Sequence, residues 1–65
     1  MVMEKVRKAF KKSNKTLEEL GLAMGYPAGT ARRAAWQFIH KTADPRLSMV
    51  FWFADAMGVE VKDLL

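Results

Sequence analysis

The stretch Thr16-Leu-Glu-Glu-Leu-Gly-Leu-Ala-Met-Gly-Tyr26, continued by Pro27-Ala-Gly-Thr30, decides how this chain folds. Thr16-Leu-Glu-Glu19 is a capping box: the Thr16 hydroxyl can accept from the Glu19 amide while the Glu19 carboxylate reaches back to the Thr16 amide. A short helix follows, expected to bury Leu20, Ala23 and Met24, and Gly25 stops it. Pro27 is preset for the first position of a further helix. The spacing predicts that helix from Pro27 to about His40. Ala31, Ala34, Ala35 and Phe38 fall on one of its faces, and small alanines there allow a close approach to neighbouring helices. The opposite face carries Gly29, Arg33, Trp36 and His40, with Arg32 at its edge.

The same helical spacing extends to both ends of the chain, and no alternating strand pattern competes with it. Before the box, Val2, Val6, Ala9 and Phe10 form an apolar stripe among Lys5, Arg7, Lys8, Lys11 and Lys12, a first amphipathic helix that Ser13-Asn14 ends. After the third helix, Asp44 as N-cap and Pro45 as first helical residue predict a fourth. It carries Leu47, Val50, Phe51, Phe53, Ala54 and Met57, and Gly58 closes it. A last helical turn from Val61 to Leu65 is expected to lay Leu64, and with it Leu65, over the core. The expectation is an all-α, compact five-helix domain spanning residues 1–65.

Sixty-five residues allow one domain with a thin core. At 51% hydrophobic and 28% charged residues the chain has the composition of a folded domain. The absence of cysteine excludes disulfides and thiolate metal sites. No apolar run reaches the roughly 20 residues of a membrane span, and no signal-peptide stretch opens the chain, so a cytoplasmic, non-membrane protein is expected. Residues 1–46 hold ten basic and four acidic side chains, a net +6, whereas residues 47–65 carry a net −2. That asymmetry fits one face directed at a polyanion, with simple solubility as the plainer alternative.

Two stretches carry a family resemblance. Thr16 to Tyr26 resembles the first helix-turn-helix segment of the Cro/C1 phage-repressor type (XRE-like) DNA-binding family. Asp44-Pro-Arg-Leu-Ser-Met-Val-Phe-Trp-Phe-Ala-Asp-Ala-Met-Gly-Val-Glu-Val-Lys-Asp-Leu-Leu65 looks like that family's closing helices. The resemblance covers nearly the whole chain. It implies a lambda-repressor-like fold in which helices 2 and 3 form a helix-turn-helix, and a sequence-specific DNA-binding transcriptional regulator whose third helix lies in the major groove. The chain departs from the pattern in three places. Pro27, Ala28 and Gly29 replace the usual polar start of the recognition helix. About four extra residues precede Asp44-Pro45 and are expected to lengthen the third helix. Phe10 and Ala35 stand where the family often has an Arg–Glu pair, an apolar replacement that costs little.

Arg32 and Arg33 are the base-reading candidates, because a guanidinium can bond guanine O6 and N7 together. Ala28 and Gly29 can let the backbone approach the bases. Thr16, Thr30, His40, Lys41 and Arg46 are the phosphate candidates, with pure capping the competing role for Thr16 and solvated charge the competing role for the arginines. Trp36 either packs as core or lies exposed beside the arginines as a cation–π partner. Trp52, with Met49 beside it, marks either a self-association surface for a homodimer or the completion of a thin core. His40 has no second ligand at metal spacing, and no nucleophile–base pair or phosphate loop is present. Neither a cofactor nor a small-molecule ligand is expected, and the chain reads as a binding protein rather than an enzyme. A different class, an antitoxin-like protein-interaction module with weak or no DNA binding, is the alternative that Ala28 and Gly29 favour.

Overall fold

The computed structural model describes residues 2–65. Four α-helices run in the order α1 (Val2–Ser13), α2 (Leu17–Ala23), α3 (Ala31–Lys41) and α4 (Leu47–Met57). The fifth helix reduces to a single 3-10 turn, Val61–Asp63. No strand occurs among the described residues. The Cα radius of gyration of 10.4 Å is what a close-packed chain of this length should have, about 10.7 Å.

The helix ends follow local chemistry. Asn14 takes the left-handed conformation at φ 59° just past α1, a geometry that asparagine tolerates better than most residues. The Ser13 hydroxyl donates to the Phe10 carbonyl at 2.6 Å and accepts from the Lys15 amide at 3.2 Å. At the start of α2 the capping box is closed in both directions, with Glu19 N to Thr16 Oγ1 at 3.1 Å and Thr16 N to Glu19 Oε1 at 2.8 Å. α2 and α4 end alike. Gly25 (φ 100°) and Gly58 (φ 70°) turn the chain left-handed. The next amide then reaches back five residues, Tyr26 N to Gly21 O and Val59 N to Ala54 O, both at 3.0 Å. A side chain at either position would strain this closure, which is why glycine occupies both.

Two helix starts fall later than the spacing predicted. The chain from Pro27 to Thr30 makes a turn in which the Pro27 carbonyl accepts from the Thr30 and Ala31 amides at 3.0 and 2.8 Å, and Thr30 sits at φ −122°, ψ −6° before α3 begins. Gly29 and β-branched Thr30 are poor helix formers, and Tyr26 has no side chain able to cap a helix beginning at Pro27. α3 therefore loses its expected first turn and extends instead to Lys41. In the same way Asp44 does not cap α4: Arg46 is extended (φ −68°, ψ 148°) and the helix starts at Leu47. Pro45 is half-buried in a shallow apolar groove that it lines with Val2, Val50 and Leu65, and this anchoring holds the approach to α4 extended.

The core is built from Val6 of α1, Leu20 of α2, Phe38 of α3, Phe53 of α4 and Leu64 after the 3-10 turn, all at most 2% exposed. Phe38 and Phe53 meet at a ring-centroid distance of 5.8 Å in a tilted arrangement, with 45° between the ring planes, within the contact range of aromatic pairs. No polar or charged side chain is buried with them among the described residues. α2 and α3 make the most extensive contact of any pair. Gly21 is buried at that contact, and a Cβ placed on it would stand 2.1 Å from the Ala31 carbonyl oxygen. The missing side chain is what lets the two backbones touch. Ala23, expected inside, is exposed, because the face of α2 that meets α3 is centred on Leu20, Gly21 and Met24. Leu47, Phe51 and Leu65 are also outside, at 59%, 51% and 59% exposure, while Val50, Phe53 and Ala54 turn inward. No helix among the described residues is long and apolar enough to cross a membrane.

Candidate functional site

The outward face of α3 concentrates the side chains with chemistry to offer. Ala31, Ala35, Phe38 and Ile39 bury one side of the helix, which leaves Arg32, Arg33, Trp36, Gln37, His40 and Lys41 exposed. Because α3 begins at Ala31, Arg32 and Arg33 occupy its first turn. Trp36 and Gln37 follow one turn on, and His40 and Lys41 close the helix. Lys41 lies about 12 Å along the axis from Arg33.

Three of these residues are joined. The Trp36 and His40 rings lie 5.1 Å apart at 42°, and Lys41 Nζ stands 5.6 Å from the Trp36 ring centroid, within cation–π range. Trp36 is 42% exposed and is not one of the buried core residues. It stands on the open face of α3, with Lys41 as its cationic neighbour. Arg32, Arg33 and Lys41 form no ion pair with a carboxylate among the described residues, whereas Lys62 pairs with Glu60 at 3.3 Å on the acidic quarter.

The helix starts differ in their electrostatics. At α2 the capping box consumes the Thr16 hydroxyl, and Glu18 and Glu19 place negative charge on the positive helix end. The hydrogen bond from the Thr16 amide, reinforced by the Thr16 hydroxyl and nearby Lys15, holds the Glu19 carboxyl below the usual carboxylate range. Thr16 caps α2 in this way. α3 starts with no side-chain cap and no acidic residue in its first turn, and two arginines stand there instead. Thr30, at that start, directs its hydroxyl to the Pro27 carbonyl at 3.4 Å. Ala28 and Gly29 lie in the exposed turn before the helix, and nothing within 4 Å would meet a Cβ on Gly29. Arg46 is exposed at the start of α4, beyond the loop that follows α3, and likewise makes no cap.

Two residues matter that the sequence pattern did not single out. Arg7, on α1, donates from Nε to the Ile39 carbonyl at 2.7 Å and from a terminal nitrogen to the Thr42 carbonyl at 3.5 Å. A cation therefore satisfies carbonyls at the negative end of α3 and ties that helix to α1. Among the lysines of α1, Arg7 is set apart only by its position and by the guanidinium that reaches both carbonyls. Gln37 is exposed four residues after Arg33 on the outward face, and its side-chain amide forms no hydrogen bond among the described residues. The spacing to Arg33 was the available signal.

A second surface lies on α4. Leu47, Phe51 and Trp52 share its outer side, with Trp52 49% exposed. Met49 instead packs against the core, so of the two residues expected at a self-association surface only Trp52 stands on the open face. Comparison with known protein families, known proteins and solved structures finds no match for this chain.

Proposed function

We propose that this chain is a duplex-DNA-binding domain of the helix-turn-helix kind, a sequence-specific transcriptional regulator that lays α3 in the major groove. The observation that carries the reading is the outward face of α3: an exposed series of Arg32, Arg33, Trp36, Gln37, His40 and Lys41 opposite a fully buried face. A helix with its side chains is about 10–12 Å across, the width of the major groove. α2 braces α3 from behind through the Gly21–Ala31 contact, so the exposed face is presented on a rigid pair of helices. Arginines in the first turn stand where recognition helices address base edges. Arg33 is assigned to a guanine and Gln37 to an adjacent adenine, each through a bidentate pair. Lys41 and Arg46 are assigned to phosphates; Thr30 donates its hydroxyl proton to the Pro27 carbonyl and Thr16 caps α2, so neither is assigned. The domain works as a two-fold pair through the apolar side of α4, since one small half-site carries little specificity. No catalytic step and no cofactor belong to this reading.

The exposed Leu47, Phe51 and Trp52 also favour a second reading, an antitoxin-like module that binds a protein partner. One experiment separates the two. Selection from random duplexes gives a preferred site, and affinity is then measured on that site and on a scrambled duplex at several salt concentrations. For DNA binding, log affinity falls with log salt at a slope of roughly −4 to −5 per monomer, corresponding to four to six phosphates. Arg33→Ala costs about 1–3 kcal/mol on the preferred site alone, while Lys41→Ala weakens both duplexes and reduces the slope by about 1. Equal weakening of both duplexes by Arg33→Ala reassigns that residue to phosphate. Absence of duplex binding at low salt leaves the interaction module standing.

A further inference from the structure

Trp36 is an apolar group on a face that is otherwise polar or cationic. It is not one of the buried core residues, and 42% of its surface stays in contact with solvent. Its ring is held in place by the His40 ring at 5.1 Å and by Lys41 Nζ at 5.6 Å from the centroid. An indole fixed in this way by two neighbours on its own helix is a preorganised platform whose remaining apolar surface faces solvent. Among the features that base pairs display in the major groove, the C5-methyl of thymine is the one apolar group. Lys41 beside the ring and the exposed Arg32 and Arg33 one turn back suit the phosphates that border that groove, and this charge complementarity points to DNA as the occupant.

We infer that Trp36 is a specificity-determining residue that selects thymine through its C5-methyl group. The inference rests on the duplex-binding reading of α3. The helix rise of 1.5 Å per residue places Trp36 about 4.5 Å beyond Arg33 and about 6 Å beyond Arg32 along the axis. Base pairs stack about 3.4 Å apart, so the thymine lies one or two base pairs from the guanine that an arginine reads. Uracil lacks the methyl, so the same contact discriminates against RNA-like bases.

The test uses the selected duplex with each thymine replaced singly by uracil, which removes the methyl and leaves the pairing unchanged. One uracil, within two base pairs of the preferred G·C pair, weakens binding of the intact chain about four-fold, the worth of one methyl taken from water. Trp36→Ala, whose fold is checked by circular dichroism, loses sensitivity to that uracil, and Trp36→Phe retains part of it. The inference is overturned if the intact chain is indifferent to every uracil, or if Trp36→Ala stays as sensitive as the parent. Tighter binding to single-stranded DNA than to duplex, abolished by Trp36→Ala, makes the ring a base-stacking platform and also overturns it. Failure to bind any duplex at low salt refutes the duplex reading itself, whereas duplex binding that ignores the methyl refutes this inference alone.

Discussion

Replacing Gly21 with alanine adds one methyl group at the contact between α2 and α3. Its Cβ would stand 2.1 Å from the Ala31 carbonyl oxygen, 2.5 Å from the carbonyl carbon and 2.8 Å from Cα, all of them backbone atoms. Restoring ordinary contact at 3.4 Å requires the helices to part by about 1.3 Å. That movement loosens Leu20, Ala31 and Ala35, which are fully buried. Two effects oppose each other. Alanine is a better helix former than glycine by about 1 kcal/mol. Overpacking a filled core costs about 1–3 kcal/mol, and a clash with backbone, which has no rotamer to escape into, belongs at or above the upper end. The net expectation is destabilisation by about 2 kcal/mol, a drop in Tm of roughly 8–16 °C for a domain of this size. Thermal unfolding followed by circular dichroism at 222 nm measures it. Gly29→Ala is the control: nothing lies within 4 Å of its Cβ position, so it should be neutral or slightly stabilising through the unfolded chain. A Gly21→Ala variant as stable as the parent would refute the close-approach reasoning.

Arg7→Ala removes the cation at the end of α3, with an expected cost of about 1 kcal/mol. Urea unfolding measures this, and faster amide exchange at the C-terminal turn of α3 should accompany it. The depressed pKa of Glu19 makes the α2 cap a source of stability at neutral pH, since the unfolded chain binds the proton more readily than the folded one. That contribution is complete above the usual carboxylate range and is lost as pH falls through the lower folded value; an NMR titration of the Thr16 and Glu19 amides should follow it, and Glu19→Gln should abolish the pH dependence. Phe51→Ser together with Trp52→Ser removes exposed apolar area from α4 without opening the core, so sedimentation should show a pair becoming a monomer while Tm, extrapolated to low concentration, stays nearly constant. A double variant that unfolds would instead assign those rings to the fold.

The parts of the fold that could be read in the sequence are those fixed by local chemistry. The Thr16–Glu19 box, the Asn14 terminus of α1 and the glycine stops at Gly25 and Gly58 each involve atoms a few residues apart, and each is formed as its residue types require. What failed depended on neighbours distant in the chain. Spacing from Leu20 predicts Ala23 inside, yet the buried face passes through Gly21, which has no side chain with which to register in a hydrophobic pattern. α4 is apolar on nearly every side, so its periodicity cannot say that Leu47 and Phe51 face out while Val50 and Phe53 face in. α3 and α4 start downstream of Pro27 and Pro45 because one proline sits in a tight turn and the other lines the apolar groove, which residue type alone does not reveal. On the candidate site, the exposed placement of Arg32, Arg33 and His40 followed directly from a 3.6-residue period. The position of Trp36 did not, because a large aromatic at a helix edge suits core and surface equally until the packing is known.

The departures from local rules are themselves informative. Where helix α2 begins, every preference agrees: an N-cap threonine, a reciprocal glutamate and two acidic residues on the positive end. Where α3 begins, all of them are violated. No side chain caps it, no acid faces its dipole, and Arg32 and Arg33 add positive charge to an end that is already positive. One turn further, an aromatic ring stands in water beside a lysine rather than in a core that has few large side chains to spare. Each choice costs the isolated domain some stability, and a domain of 65 residues has little in reserve. The start of α4 is likewise uncapped and its outer side apolar, but on α3 the departures share a sign: each would be relieved by bringing an anionic, partly apolar surface against that face. Under the proposed reading a duplex groove would supply that surface, with guanine for Arg33, phosphates for Lys41 and the bare helix end, and a thymine methyl for the ring.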